Sequence, residues 1–271
     1  MNHDIPALRA LAVSLATSAG DLIRERRPDR ATVADTKTSA TDPVTEMDRS
    51  IEEYLVAEIL RARPDDAVLG EEGNDVAGTS GLTWVIDPID GTVNYLYGIA
   101  SFAVSVAVVV GPPHPEWWTV LAGCVHDVVT GRTWSAGCGQ GAGANGVPLT
   151  PVAPAPLSSC LTGTGFGYDS ARRARQAQVL TKVLPRVRDI RRLGSAAVDL
   201  CLLAEGTLDL YYERGLNPWD MAAGSLIAAE NGAEVVGLRG TKASGEMTVA
   251  GRGPAVRELL NILEAADADR D

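Results

Sequence analysis

The stretch WVIDPIDGTVNY (84–95) runs apolar residues straight into two acids three positions apart, Asp87 and Asp90, followed by Gly91 and Thr92. Like charges held this close disfavour joint ionisation unless a cation or a proton compensates. Other acids fall where elements should end: Glu71 and Glu72 in GEEG (70–73), and Asp220 in NPWDMAAG (217–224) near a helix start. Hard Mg²⁺ prefers carboxylate oxygens and keeps several waters, so three or four convergent acids form the expected type of site. Two such ions about 3.5–4 Å apart activate a water on one side and stabilise a leaving alkoxide on the other. Gly91-Thr92 can open a helix or tight turn whose backbone N–H groups face an anion, with the Thr92 hydroxyl orienting an attacking water. This chemistry is metal-assisted hydrolysis of a phosphate ester.

Each residue also has a plainer reading. Asp87 and Asp90 could form a proline turn with an Asp cap, although a cap needs only one acid. Glu71 and Glu72 alone read as a solvated loop, and Asp220 as a helix cap. Asp48, inside a helical pattern, reads as a surface charge. The D-x-D motif of haloacid-dehalogenase phosphatases does not fit. Its acids are two apart on a first strand, whereas these are three apart and follow some eighty residues with two helices.

The elements that must carry these residues are legible from periodicity. Residues 5–26 read as an amphipathic helix, 28–43 as a polar loop or short hairpin, and 43–63 as a second helix with apolar residues at helical spacing. AVLGEE, TWVIDPID, FAVSVAVVV, LAGCVHDV and RTWSAG read as strands, and Asn145-Gly146 as a hairpin turn. Beyond residue 150 helices at 171–187, 195–206, 218–232 and 254–268 alternate with strands at 188–194, 208–215 and 233–238. Helices and strands therefore alternate in both halves, with more antiparallel β in the first. The chain reads as one domain over 1–271, with an α+β half to about 150 and an α/β half from about 151.

Composition narrows the function classes. The 271 residues are 45% hydrophobic, and no apolar run reaches membrane-span length. The N-terminal stretch has no basic n-region, so a cytoplasmic protein is expected. Four scattered cysteines and three histidines offer neither zinc spacing nor a redox motif. A net charge of −11 disfavours direct nucleic-acid binding, and phosphate would be handled through divalent cations. The PPHPEWW segment (112–118) is an unusual turn, read as packing.

These motifs resemble the inositol monophosphatase family of lithium-sensitive, Mg²⁺-dependent phosphatases. DPVTEMD, GEE, WVIDPIDGTVNY, GTGFGY, RRLGSAAVDLC, LDLYYERG and PWDMAAGSLIAAENGAEV stand in the family's order over nearly the whole chain. DP-I-DGT with WD-AAG is highly specific; GEE alone is weak. The resemblance implies a layered α-β-α-β-α sandwich, usually dimeric, with two or three Mg²⁺ per site and inhibition by Li⁺. It implies Glu71, Asp87 and the Ile89 carbonyl as ligands of one metal, and Asp87, Asp90 and Asp220 as ligands of the second. Gly91 and Thr92 would bind phosphate through their amides. Asp48 would hydrogen-bond Thr92 and help polarise the water, and Lys37 would approach the metals from its loop. Asp90, the backbone at Ala196, and Glu213 would contact the polyol. The implied substrate is a small phosphate monoester, myo-inositol 1-phosphate first. Histidinol phosphate, fructose 1,6-bisphosphate and 3′-phosphoadenosine 5′-phosphate are used by other relatives. A third reading, a regulatory partner of the transcription machinery, is also open, since some bacterial relatives have that role.

Overall fold

A computed structural model describes residues 3–28, 31–37 and 43–270, and its layering follows from which faces of two sheets are apolar. The chain opens with helix α1 (Ile5–Arg26), capped by Asp4. Strands β1 (Asp35–Thr36) and β2 (Pro43–Val44) then pair as a two-stranded ribbon. That ribbon is the hairpin option expected for 28–43; positions 29–30 and 38–42 lie outside the described residues. Helix α2 (Glu46–Ala62) follows, starting in a capping box between Thr45 and Asp48.

The first sheet has seven strands in sequence order: β3 (Ala67–Gly70), β4 (Leu82–Asp90), β5 (Ala103–Val110), β6 (Thr119–Asp127), β7 (Thr133–Gly137), β8 (Ala142–Ala144) and β9 (Val147–Pro148). Only β3–β4 is parallel; the rest form an antiparallel meander. Asn145 and Gly146 both have positive φ between β8 and β9, the geometry that an Asn-Gly hairpin turn requires. A six-residue helix, α3 (Thr92–Tyr97), leaves the end of β4.

The second sheet has five strands in the order β11–β10–β12–β14–β13. They span β10 (Leu161–Thr164), β11 (Asp189–Arg191), β12 (Leu210–Glu213), β13 (Glu234–Val236) and β14 (Thr248–Gly251). β11, β10 and β12 run parallel, and β14 runs against them. Periodicity missed β10 and β14. Each has four residues, contains glycine and is almost wholly buried, so neither shows an alternating face. The strand expected over 188–194 shrinks to three residues.

Four helices complete the chain: α4 (Ser170–Val183), α5 (Ala196–Glu205), α6 (Pro218–Glu230) and α7 (Gly253–Ala265). Three apolar clusters define the stacking. One joins α1 and α2 to the outer face of the first sheet, through Leu15, Ile51, Leu55, Trp84 and Val106. A middle one joins that sheet's inner face to α5, α6 and the second sheet, through Trp134, Leu200, Ala223 and Tyr211. The third seats α4 and α7 on the far face of the second sheet, through Val179, Leu210 and Leu259. The order is α-β-α-β-α. In the PPHPEWW turn, Trp118 joins the middle cluster while Trp117 stays 68% exposed, so the packing reading holds for one tryptophan only.

Helix α6 approaches the first sheet where β6 carries Gly123. A Cβ there would lie 2.9 Å from the Ala223 Cα, a backbone atom that cannot swing aside. Gly123→Ala is therefore expected to push α6 off the sheet and cost about 1–3 kcal/mol. A denaturant midpoint unchanged from the parent would show that the helix does not rest on this strand.

Candidate active site

Strand β4 is buried along all nine residues, and two of its last four are acids. Residues three apart on a regular strand face opposite sides of the sheet. Here Asp87 pairs with Ser105 and Asp90 with Ala103, so three steps on β4 match two on β5. This bulge places both acids on one face. Pro88 sits inside it, where a missing N–H costs no ladder bond. Asp87, Asp90 and Asp220 offer ligand oxygens that all lie within 4.8 Å of one another.

Each acid is anchored through one oxygen. The Ile89 N–H donates to Asp87 Oδ1 at 3.0 Å. Asp90 Oδ2 accepts from Ser195 Oγ at 2.6 Å and from the Ala197 N–H at 2.7 Å, in the first turn of α5. Asp220 Oδ2 accepts from the Asn217 N–H at 2.7 Å at the start of α6. Capping and convergence are thus one arrangement at Asp220, where the sequence offered them as alternatives.

Asp48 is fully buried, which overturns its reading as a surface charge. Its Oδ2 accepts from the Thr45 N–H at 2.8 Å, and its Oδ1 accepts from Thr92 Oγ1 at 3.1 Å. Thr92 Oγ1 also lies 3.2 Å from the Ile89 carbonyl. Gly91 precedes it with φ 102°, and a Cβ there would stand 3.0 Å from the Ser101 carbonyl and 3.1 Å from that of Gly194. Both the dihedral and the crowding therefore select glycine.

Glu71 stands beside the three aspartates. Its carboxylate faces Asp87 closely enough for the two to share a hydrogen bond, while Lys37 Nζ holds its Oε1 at 2.7 Å and Glu72 Oε1 at 2.5 Å. Burial opposes the charge on Lys37, but the two glutamates more than offset that and raise its pKa. The solvated-loop reading of the GEEG segment is corrected by the partner beneath it. Glu52, fully buried on α2, accepts from the N–H groups of Glu72 and Asn74 and from Asn74 Nδ2.

Electrostatics suit the cluster to a cation. Burial, then the charges of Glu71, Asp90 and Asp220, push the Asp87 carboxyl well above its usual range. Burial, then Asp90 and Glu71, do the same to Asp220. Burial raises Asp90 to about 6 against the opposing pull of Ser195 and the α5 amides, and it raises Asp48 to about 6. The all-oxygen donor set suits a hard divalent cation, and Glu71 Oε2 is buried with no hydrogen-bond partner. Glu71, Asp87, Asp90, Asp220 and the Ile89 carbonyl are the groups that could hold one.

A cavity of about 640 Å³ opens over this cluster, and the second sheet supplies its other wall. Glu213, at the end of β12, accepts from the Tyr211 hydroxyl at 2.6 Å. Burial raises its carboxyl to about 7 against that bond and the nearby Arg192 charge. Gly165 makes room for it: a Cβ there would fall 2.0 Å from both Glu213 carboxylate oxygens. Ala196 lines the cavity as the first residue of α5, and its amide bonds to Asp90.

Sequence reasoning missed Glu52, Gly165 and the arginines Arg172, Arg192 and Arg214 that line the cavity. Glu52 had a signal: it lies four residues after Asp48 and next to Ile51, a second acid on the apolar stripe of α2. The arginines had none, being scattered over three segments.

A layered α/β fold with a buried acid cluster beneath a polar cavity defines a metal-dependent phosphatase. The profile of the inositol monophosphatase family matches residues 4–267, and the chain belongs to that family. It is 44% identical to the inositol-1-monophosphatase of Mycobacterium bovis over 95% of this chain and 93% of that one. It is 34% identical to the Nus factor SuhB of Pasteurella multocida over 96% of each. The solved structure of Mycobacterium tuberculosis SuhB superposes with a TM-score of 0.81 at 40% identity, covering 99% of this chain and all of that one. Among the described residues no helix is long and apolar enough to cross a membrane.

Glu52→Gln would set an amide N–H₂ against the loop's own donors. We expect a loss of about 1–3 kcal/mol in stability and a fall in phosphatase rate, because Glu71 loses its support. Unaltered rate and melting temperature would show that the loop holds its shape without this carboxylate.

Proposed function

We propose that the protein hydrolyses myo-inositol 1-phosphate and related polyol monophosphates, with Mg²⁺ held by Glu71, Asp87, the Ile89 carbonyl, Asp90 and Asp220. The observation that carries this reading is the convergence of Asp87, Asp90 and Asp220 beside the Asp48–Thr92 pair. Bound Mg²⁺ would supply Lewis-acid stabilisation of phosphate charge and an acidified water. The chain's own groups handle the proton and the orientation. A water donating to Thr92 Oγ1 relays its proton along the hydroxyl to Asp48 Oδ1, which is ionised at neutral pH with a pKa near 6. Gly91 and Thr92 receive phosphate at the start of α3. Asp90, the backbone at Ala196, and Glu213 accept or orient the polyol hydroxyls. Lys37 contributes a positive charge at Glu71.

The relatives' names support inositol 1-phosphate ahead of histidinol phosphate, fructose 1,6-bisphosphate or 3′-phosphoadenosine 5′-phosphate. A role as a regulatory partner of the transcription machinery stands as a second reading, and several relatives bear the name Nus factor SuhB. The family resemblance further supports inhibition by Li⁺ and a homodimer, and the net charge of −11 supports no direct contact with nucleic acid. The unpaired, buried Cys124, Cys160 and Cys201 support a reducing, cytoplasmic setting.

Phosphate release from inositol 1-phosphate should require Mg²⁺, and Asp90→Asn should lower kcat on the order of a hundredfold. Undiminished turnover in excess EDTA would sink the metal reading, and a tenfold preference for histidinol phosphate would move the substrate assignment.

Glu213 accepts hydroxyls best as a carboxylate, and its pKa lies near 7. A raised carboxyl is neutral below that value, so KM for inositol 1-phosphate should rise as pH falls below about 7. Glu213→Gln should flatten this limb while raising KM at pH 8. A parallel pH profile in the variant would assign the limb to another group.

A further inference from the structure

Helices α5 and α6 carry two of the clustered acids between them. Asp90 is held at the start of α5 by Ser195 Oγ and the Ala197 N–H, and Asp220 stands in the first turn of α6. The placement of one helix against the other therefore sets how far Asp90 lies from Asp220. Near these starts Gly224 lets the helices touch: a Cβ there would lie 2.8 Å from Leu200 Cβ and 3.3 Å from the Ala197 carbonyl. Contact at one point fixes a distance between two rods but leaves their crossing angle free.

A second tie sits at the far ends. Arg252, the residue between β14 and α7, is 8% exposed. Its Nη1 donates to the Leu203 carbonyl at 2.9 Å and its Nη2 to the Ala204 carbonyl at 3.0 Å, both in the last turn of α5. Nη2 and Nε also reach the carbonyl of Asn231, the C-cap of α6, at 3.1 and 3.4 Å. Asn231 Nδ2 closes the ring by donating to the same Ala204 carbonyl at 2.8 Å. A cation suits two helix C-termini at once, and only a planar fork spans both. Capping alone does not call for it, because the Gly206 N–H already serves the end of α5. What the buried guanidinium adds is the bond between the helices.

We propose that Arg252 is a positioning residue for the cation centre: by tying the C-termini of α5 and α6 it fixes the crossing angle that spaces Asp90 from Asp220. The two helices act as levers over the Gly224 contact. At 1.5 Å per residue, Asn231 lies about 10 Å beyond that pivot and Asp220 about 6 Å before it. A slip of about 1 Å at the far end then moves Asp220 by about 0.6 Å, and a productive site tolerates about 0.5 Å. The inference rests on the reading of the acid cluster as the place where Mg²⁺ binds.

Calorimetric titration of Mg²⁺ into the metal-stripped full chain tests this without turnover. Arg252→Lys keeps the charge and loses the fork, and should weaken Mg²⁺ binding by about threefold; Arg252→Met should weaken it by about tenfold. Leu259→Ala, in the apolar cluster between α7 and the far face of the second sheet, provides a destabilised control. It should lower the melting temperature and keep the parent's Kd for Mg²⁺. A Kd unmoved in folded Arg252→Lys, or moved equally by Leu259→Ala, would overturn the positioning role. A parent that binds Mg²⁺ but releases no phosphate from inositol 1-phosphate would count against the substrate assignment alone, and a parent that binds no Mg²⁺ would overturn both.

Discussion

The constraint on which the site depends is that its aspartates each bind the fold with one oxygen and leave the other for a shared centre. Asp87, Asp90 and Asp220 follow this division, while Asp48 beside them gives its second oxygen to Thr92, and in every case a backbone N–H near a turn or helix start is the anchor. The pattern answers the problem posed by buried like charges. Repulsion would rotate such carboxylates apart, and a charge-assisted bond to a fixed amide resists that rotation. Helix N-termini are suited to the task because their first N–H groups lack partners within the helix and carry partial positive charge. The acids of this cluster are therefore part of the start of α2, α5 and α6 as well as part of the chemistry.

This arrangement explains the two-sided construction. β4 delivers Asp87 and Asp90 through a bulge, but Asp90 holds its angle only because α5 begins opposite it at Ser195. Asp220 reaches the same centre from α6, which packs between the sheets. A displacement of either middle helix would move a ligand without touching β4. The cluster is also costly when it holds no positive charge, since burial raises every member's pKa and mutual repulsion adds to it at Asp87 and Asp220. A cation bound there would stabilise the folded chain by relieving that repulsion.

Much of this was legible in the sequence where a residue's role left a local trace. Asp87, Asp90 and Gly91 stand together in five residues, and the bulge is foreshadowed by Pro88 between two acids. Asn145-Gly146 announced its turn. Asp48 was misread from pattern alone because one acid inside a helical repeat usually faces water, and only the family resemblance corrected it. The burial of Asp48 depends on Thr92, forty-four positions away, and no local window contains both. β10 and β14 were missed for a related reason. Strands covered on both faces lose the alternation that periodicity detects, and glycines chosen for close approach lower their strand propensity further. The glycine at 165 is intelligible only beside Glu213, which β12 brings next to β10.

The two sheets divide the work unequally. Most of the acid cluster belongs to the first sheet and the helices against it. The opposite wall of the cavity belongs to the second sheet and its connections: Glu213 at the end of β12, with Tyr211 and Gly165 behind it, and the arginines around it. These side chains sit at strand ends and loop starts, where a substitution changes what the cavity binds and leaves the bulge and its acids in place. A change in that wall can thus leave the acid cluster as it is. The reverse does not hold, since Asp90 is anchored by α5, and an altered first turn of that helix reaches the cage directly.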